Sequence, residues 1–177
     1  MSRLLGALHG SLEALEAEGI PHAISGSLAA AHHGYVRATE DVDIQVAIES
    51  PTELQAAAGR LADGVHRIDA RTWSFAREVT VELYEVRDRL DEEAMAHRVE
   101  GPLPGDEETT ASFVGLEELM VLKLREHVRH GHGLKHVADV QQLLARNHDR
   151  LDGERLDELL ALDPEWRETW DELVETS

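Results

Sequence analysis

Apolar residues recur at helical spacing from the start of the chain. Leu4, Leu5, Leu8, Leu12 and Leu15 fall on one face and predict a helix over 3–18, with Gly19 as its stop. After Pro21, the short apolar run Ala23-Ile24-Ser25 predicts a strand. Gly26-Ser27 opens a second helix, from Leu28 to His33, which Gly34 ends. The period then changes. Val42, Ile44, Val46 and Ile48 alternate with Asp41, Asp43, Gln45 and Ala47, which predicts a strand with one apolar face. Ser50-Pro51-Thr52-Glu53 is a capping box with proline at the first helical position, and it launches a third helix that Asp63-Gly64 closes.

Residues 65–86 predict two strands, 71–76 and 79–86. In the second, Val79, Val81, Leu83 and Glu85 share one face, and Thr80, Glu82, Tyr84 and Val86 share the other. The segment 101–110 (GPLPGDEETT) is rich in turn-forming and acidic residues and predicts a loop at a boundary. Beyond it the spacing is helical. Leu116, Leu119, Met120, Lys123, Leu124, His127 and Val128 fit one helix, 135–144 another, and Trp166, Trp170, Leu173 and Val174 one face of a last helix, as core or as interface. No internal repeat or low-complexity tract interrupts this order. The expected class is α+β: a small mixed sheet flanked by helices over 1–100, and a helical part over 101–177 packed on it.

Composition narrows the chemistry. The 177 residues include no cysteine, which excludes disulfides, thiolate metal sites and cysteine catalysis. No signal-peptide pattern and no apolar run of membrane-spanning length is visible, so a cytoplasmic protein without a membrane partner is expected. Thirty-six acidic against 17 basic side chains give a net charge of −19, which disfavours broad nucleic-acid binding. The charge is uneven. Residues 121–150 hold Lys123, Arg125, Arg129, Lys135, Arg146 and Arg150 against Glu126, Asp139 and Asp149, six basic less three acidic.

One constellation carries chemistry. Asp41 and Asp43 lie two apart on a strand, so their carboxylates leave the same face. Such neighbours repel unless a cation sits between them, and a hard divalent ion with oxygen ligands is the natural one. Gly26-Ser27 stands at a strand-to-helix junction, where free backbone N–H groups favour phosphate. One element suits a metal and the other a phosphate, which together describe nucleoside triphosphate chemistry.

The run Gly26-Ser27-(x)₁₃-Asp41-Val42-Asp43, with His33-Gly34-x-x-Arg37-x-Thr39 ahead of the acids, resembles the nucleotidyltransferase superfamily with its polymerase β-like fold. The local text looks most like the small bacterial branch related to AbiEii toxin-type nucleotidyltransferases. The resemblance spans about residues 20–145. It implies a mixed sheet, two Mg²⁺ ions, and transfer of a nucleoside monophosphate from an NTP with release of pyrophosphate. It also implies a third carboxylate on a neighbouring strand, with Glu82 as the candidate and Glu85 as the rival on the opposite face. By the same resemblance Asp41 and Asp43 hold one ion and Asp43 and Glu82 the second, while Gly26, Ser27 and Lys123 meet the triphosphate. Arg37 either orients the acidic strand or contacts the nucleotide, and Thr39 reads as a hydrogen-bonding residue at the strand entry. Lys135 and Asp139 are either a site pair or an i, i+4 helix pair.

The expected partners are an NTP and a hydroxyl acceptor: a small molecule such as an aminoglycoside, an RNA end, or a protein side chain. A homodimer or an antitoxin partner is a further expectation. The competing reading is a catalytically silent module of the same fold that acts through protein contacts. His127, His130, His132 and His136 cluster without the spacing of a metal motif and are read as a solvated helix end.

Overall fold

The computed structural model describes residues 3–61, 64–75, 79–130 and 134–175. In chain order these are α1 (Arg3–Ala17), β1 (His22–Ile24), α2 (Gly26–His32), β2 (Asp41–Val46), α3 (Pro51–Arg60), β3 (Val65–Arg67), β4 (Thr72–Phe75) and β5 (Thr80–Glu85). There follow α4 (Arg89–Ala96), β6 (Val99–Leu103), β7 (Asp106–Phe113), α5 (Leu116–Arg129), α6 (Leu134–Asn147), α7 (Gly153–Leu160) and α8 (Pro164–Glu175). The strands form one sheet of seven in the order β3-β4-β5-β2-β1-β7-β6. It is mixed: β2 runs parallel to β5 and β1 parallel to β7, while the other neighbouring pairs are antiparallel.

The two-residue period of β2 drives Val42, Ile44 and Val46 fully into the core, where α1 packs, with α3 against α1. The capping box at Ser50 fixes where α3 begins: Ser50 N–H donates to Glu53 Oε1 at 2.8 Å. Asp88 does the same for α4, its carboxylate accepting from Asp91 N–H at 3.1 Å. The closing position expected for α3, Asp63, lies outside the described residues, as do Ala76 at the end of the first predicted strand of 65–86 and His132 in the histidine cluster.

The structure departs from the sequence pattern in three places. Residues 101–110 are not a loop but the body of the β6–β7 hairpin. The glycines mislead there. Gly105 makes the turn with φ +87°, and Gly101 lies against His32, where a Cβ would fall 2.2 Å from the imidazole Cε1. Gly101 therefore serves a close approach within a strand, and the acidic residues that follow it lie on a mostly solvent-facing hairpin. Residues 65–86 hold three strands rather than two, because Val65–Arg67 pairs with β4. Finally α4 and α7, each capped by an aspartate, are absent from the sequence reading.

The C-terminal helices close the other side. α5 packs against α4, α6, α7 and α8, and Leu119, Met120, Val121 and Leu124 are buried along it. Part of the tryptophan stripe of α8 joins this core: Trp166 and Leu173 are buried and Trp170 is half-buried, while Val174 is exposed, and α8 rests on α5 and α7. Arg155 of α7 ties the layer together, meeting Glu118 at 2.8 Å and Glu93 at 2.7 Å. Among the described residues no helix is long and apolar enough to cross a membrane.

Candidate active site

Asp41 and Asp43 leave β2 on its polar face, between residues that point into the core. The parallel register with β5 then sets Asp43 beside Glu82. Three carboxylates thus face one cavity of about 260 Å³. Each has a hydroxyl neighbour. Thr39 Oγ1 donates to Asp41 Oδ1 at 2.5 Å, and the Tyr84 hydroxyl donates to Glu82 Oε2 at 2.5 Å and stands 3.4 Å from Asp43 Oδ1. Glu85 faces away, toward Trp73 Nε1 at 3.4 Å and the Arg87 guanidinium.

The turn at the start of α2 lies directly on this group. Ser25 N–H donates to the Asp43 carbonyl at 2.8 Å. Gly26 takes φ +59°, and a Cβ there would fall 1.7 Å from Asp43 Oδ2. Only glycine lets the turn adopt this backbone and approach the carboxylate so closely. Ser27 lines the same cavity.

The opposite wall is cationic. Lys123 of α5 and Arg37, from the segment between α2 and β2, both reach one buried carboxylate on α6. Lys123 Nζ is 2.6 Å from Asp139 Oδ2, and Arg37 Nε is 3.2 Å from Asp139 Oδ1. Asp139 is 2% exposed, so it is committed to these two cations and not to Lys135. Lys135 and His136 line the cavity alongside them. The basic stretch 121–150 therefore delivers Lys123, Arg125 and Lys135 to the cavity that holds the acids.

The electrostatics follow from this crowding. Burial first, then the charges of Asp41 and Glu82, push the Asp43 carboxyl up to about 6, against the pull of Lys123. Burial also raises the Tyr84 phenol, with Asp43 and Glu82 adding to it, so Tyr84 remains a donor. Burial lowers the Lys123 ammonium, and Asp139 opposes that shift.

Two features escape the sequence reading. Period two places Tyr84 on the face of Glu82, and that is the available signal for its contact with the acids. The second is an ion-pair network behind the site. Arg71 meets Asp88 at 2.9 Å and also pairs with Asp91, and Arg125 reaches Asp91 at 2.7 Å and Asp88 at 3.2 Å. Its members come from the turn before β4, the start of α4, and α5. No local pattern announces it.

No family model and no curated protein matches the chain in sequence. Solved structures do match in shape. The solution structure of the antibiotic-resistance factor ANT(2'')-Ia superposes with a TM-score of 0.65 at 17% identity, over 96% of this chain and 94% of that one. The crystal structure of ANT(2'')-Ia in complex with adenylyl-2''-tobramycin gives 0.62 at 16% identity, over 93% and 97%. An antigenic nucleotidyltransferase-like protein from Paracoccidioides brasiliensis gives 0.54 at 17% identity, over 95% and 91%. The chain has the nucleotidyltransferase fold. The mixed sheet flanked by helices that the sequence predicts is the fold observed, and the likeness runs through the C-terminal helices as well as the sheet.

The carboxylates fit a hard divalent ion. Oxygen donors cluster, and the burial and charge that raise Asp43 are what a cation would relieve. Among the described residues no group of three or more His, Asp or Glu side chains is arranged to hold a metal ion by itself. That is compatible with Mg²⁺, which commonly takes one or two carboxylates and completes its shell with water and substrate phosphates.

Proposed function

We propose that the protein transfers a nucleoside monophosphate from an NTP to a hydroxyl acceptor with release of pyrophosphate, using Mg²⁺. The observation that carries this reading is the registered trio Asp41, Asp43 and Glu82 set against a turn whose Gly26 leaves no room for a Cβ. Asp41 and Asp43 are the residues to hold the ion on the triphosphate, and Asp43 with Glu82 those to hold a second. Bound there, Mg²⁺ would neutralise phosphate charge and lower the pKa of the attacking hydroxyl.

The chain's own residues do the rest. Gly26 and Ser27 border the triphosphate. Glu82 accepts the acceptor's proton as its oxygen bonds to the α-phosphorus, and the bond from that phosphorus to the β-phosphate oxygen breaks. Lys123 and Arg37 offset the charge that develops on pyrophosphate. Asp139 is a positioning residue: it holds both cations on the wall facing the carboxylates. The 2''-adenylylated tobramycin of the related structure makes a small hydroxylated molecule the leading class of acceptor here, ahead of an RNA end or a protein side chain.

The deciding experiment is titration calorimetry of each NTP, with and without Mg²⁺, on wild type and Asp43→Ala. Mg²⁺-dependent binding that the variant loses is the expected outcome. A well-folded wild type that binds no NTP overturns the transferase reading and leaves the silent interaction module in its place.

A further inference from the structure

Beside the cavity of the carboxylates lies a second one of about 450 Å³. Glu82, Tyr84, Arg125, Glu126 and His130 line both, so the two spaces meet at the carboxylate assigned to take the acceptor's proton. A nucleotide in the first cavity leaves the second as the approach to Glu82. Its volume suits a small molecule.

Three guanidinium groups line this second cavity, together with the carboxylates of Asp69, Glu82 and Glu126. Arg71, Arg125 and Arg129 arrive there from the turn before β4 and from successive turns of α5. The carboxylates in and behind this wall already have partners, Glu82 accepting from the Tyr84 hydroxyl. Asp69 accepts from the backbone N–H groups of Arg71 and Thr72 at 2.7 and 2.8 Å. Asp88 and Asp91 are taken up by Arg71 and Arg125. Glu126 holds His130 at 3.0 Å.

The cations are less well served. Arg129 reaches the carboxylates of Asp88 and Glu126 only at 3.6 Å, beyond hydrogen-bond distance. Arg125 Nε is buried without a hydrogen-bond partner, 3.4 Å from Glu126. Burial and the neighbouring charges of Arg125 and Arg71 disfavour the Arg129 cation, a crowding that mirrors the carboxylates across the site. What this wall still offers a ligand is a planar donor fork, and the partner that matches such a fork is a carboxylate or a phosphate.

We propose that the second cavity is the acceptor subsite and that it takes a small hydroxylated molecule bearing a carboxylate or phosphate, which Arg129 grips while the hydroxyl lies at Glu82. This rests on the transferase reading above for its role but not for its binding chemistry. It sets the acceptor apart from a polycationic aminoglycoside. The net charge of −19 sets it apart from a long polyanion as well.

The test is the arginine Nε–Hε signal of Arg129, assigned by its absence in Arg129→Gln, followed by NMR at low ionic strength. Glycerate, glycerol 3-phosphate and tobramycin are titrated into the full chain, with and without Mg²⁺ and a non-hydrolysable NTP analogue. A saturable shift with glycerate or glycerol 3-phosphate is expected, and affinity at least tenfold weaker in Arg129→Gln, followed there on the Nε–Hε signals of Arg71 and Arg125, which line the same cavity. Whichever of the two saturates at lower concentration separates carboxylate from phosphate. No saturable shift with either anion, a saturable shift with tobramycin instead, or equal affinity in the variant overturns the proposal. Failure of the NTP analogue to bind while an anion still saturates the Arg129 signal sinks the transferase reading but not the anion site.

Discussion

Gly26 and Asp43 are in such close approach that a single added methyl group on the glycine would overlap the carboxylate, 1.7 Å from Oδ2. The backbone at Gly26 is also left-handed, at φ +59°, which costs an alanine about 1–2 kcal/mol. Gly26→Ala is therefore expected to lower stability by at least that amount and to displace Asp43. Urea denaturation reads the first effect, and Mg²⁺-dependent NTP binding, expected to fall at least tenfold, reads the second. A variant with unchanged NTP affinity would separate the turn from the site.

Asp43 makes stability depend on pH in an unusual direction. Its carboxyl is pushed from 3.8 to about 6 in the folded protein, so between those values the folded state binds more protons than the unfolded one. The contribution of this group is then greatest below the unfolded value and is lost as pH rises through 6. Ionisation of this group costs the metal-free protein about 2–3 kcal/mol at neutral pH, from the size of the shift. Asp43→Asn should accordingly be more stable than wild type at pH 7 without metal, and lose that advantage near pH 4. Thermal melts across pH 4–8 check it, and added Mg²⁺ should raise the melting temperature of wild type more than that of the asparagine variant.

Lys123 and Asp139 form a buried pair at 2.6 Å, shared with Arg37. Removing one partner strands a buried charge, so Asp139→Ala is expected to cost about 3–5 kcal/mol. The double variant Lys123→Met, Asp139→Leu should recover most of that stability. It should still bind NTP weakly, because the triphosphate would then meet Arg37 without Lys123. Denaturation midpoints together with NTP titration distinguish the pair's structural role from its role at the site.

Much of this arrangement is legible in the chain, and the limits are physical. The alternation of Val42, Ile44 and Val46 with Asp41 and Asp43 shows both that β2 exists and which face carries its acids. The same period on β5 puts Glu82 with Tyr84 and turns Glu85 away. The β6–β7 hairpin is hidden because Gly101, Pro102, Pro104 and Gly105 look like loop residues, whereas Gly101 is small for the sake of His32. Asp139 looks like an i, i+4 partner of Lys135, since local spacing cannot show how α5 crosses α6. The network of Arg71, Asp88, Asp91 and Arg125 joins residues far apart in the chain, and only the packing of α4 on α5 brings them together.

Tyr84 separates binding from turnover. Its hydroxyl donates to Glu82 at 2.5 Å and stands 3.4 Å from Asp43, and the residue forms part of the wall common to both cavities. Tyr84→Phe keeps the ring and removes only the donor. A hydrogen bond to a charged group is worth about 1.5–3 kcal/mol, so the carboxylate of Glu82 would lose a fixed orientation without leaving its strand. The expected outcome is a kcat lower by about tenfold to a hundredfold, with the dissociation constant for NTP within about twofold of wild type. Steady-state kinetics beside calorimetry on the same preparation measure the two separately. A loss of NTP affinity as large as the loss of kcat would place the hydroxyl in nucleotide binding and remove it from the orientation of Glu82.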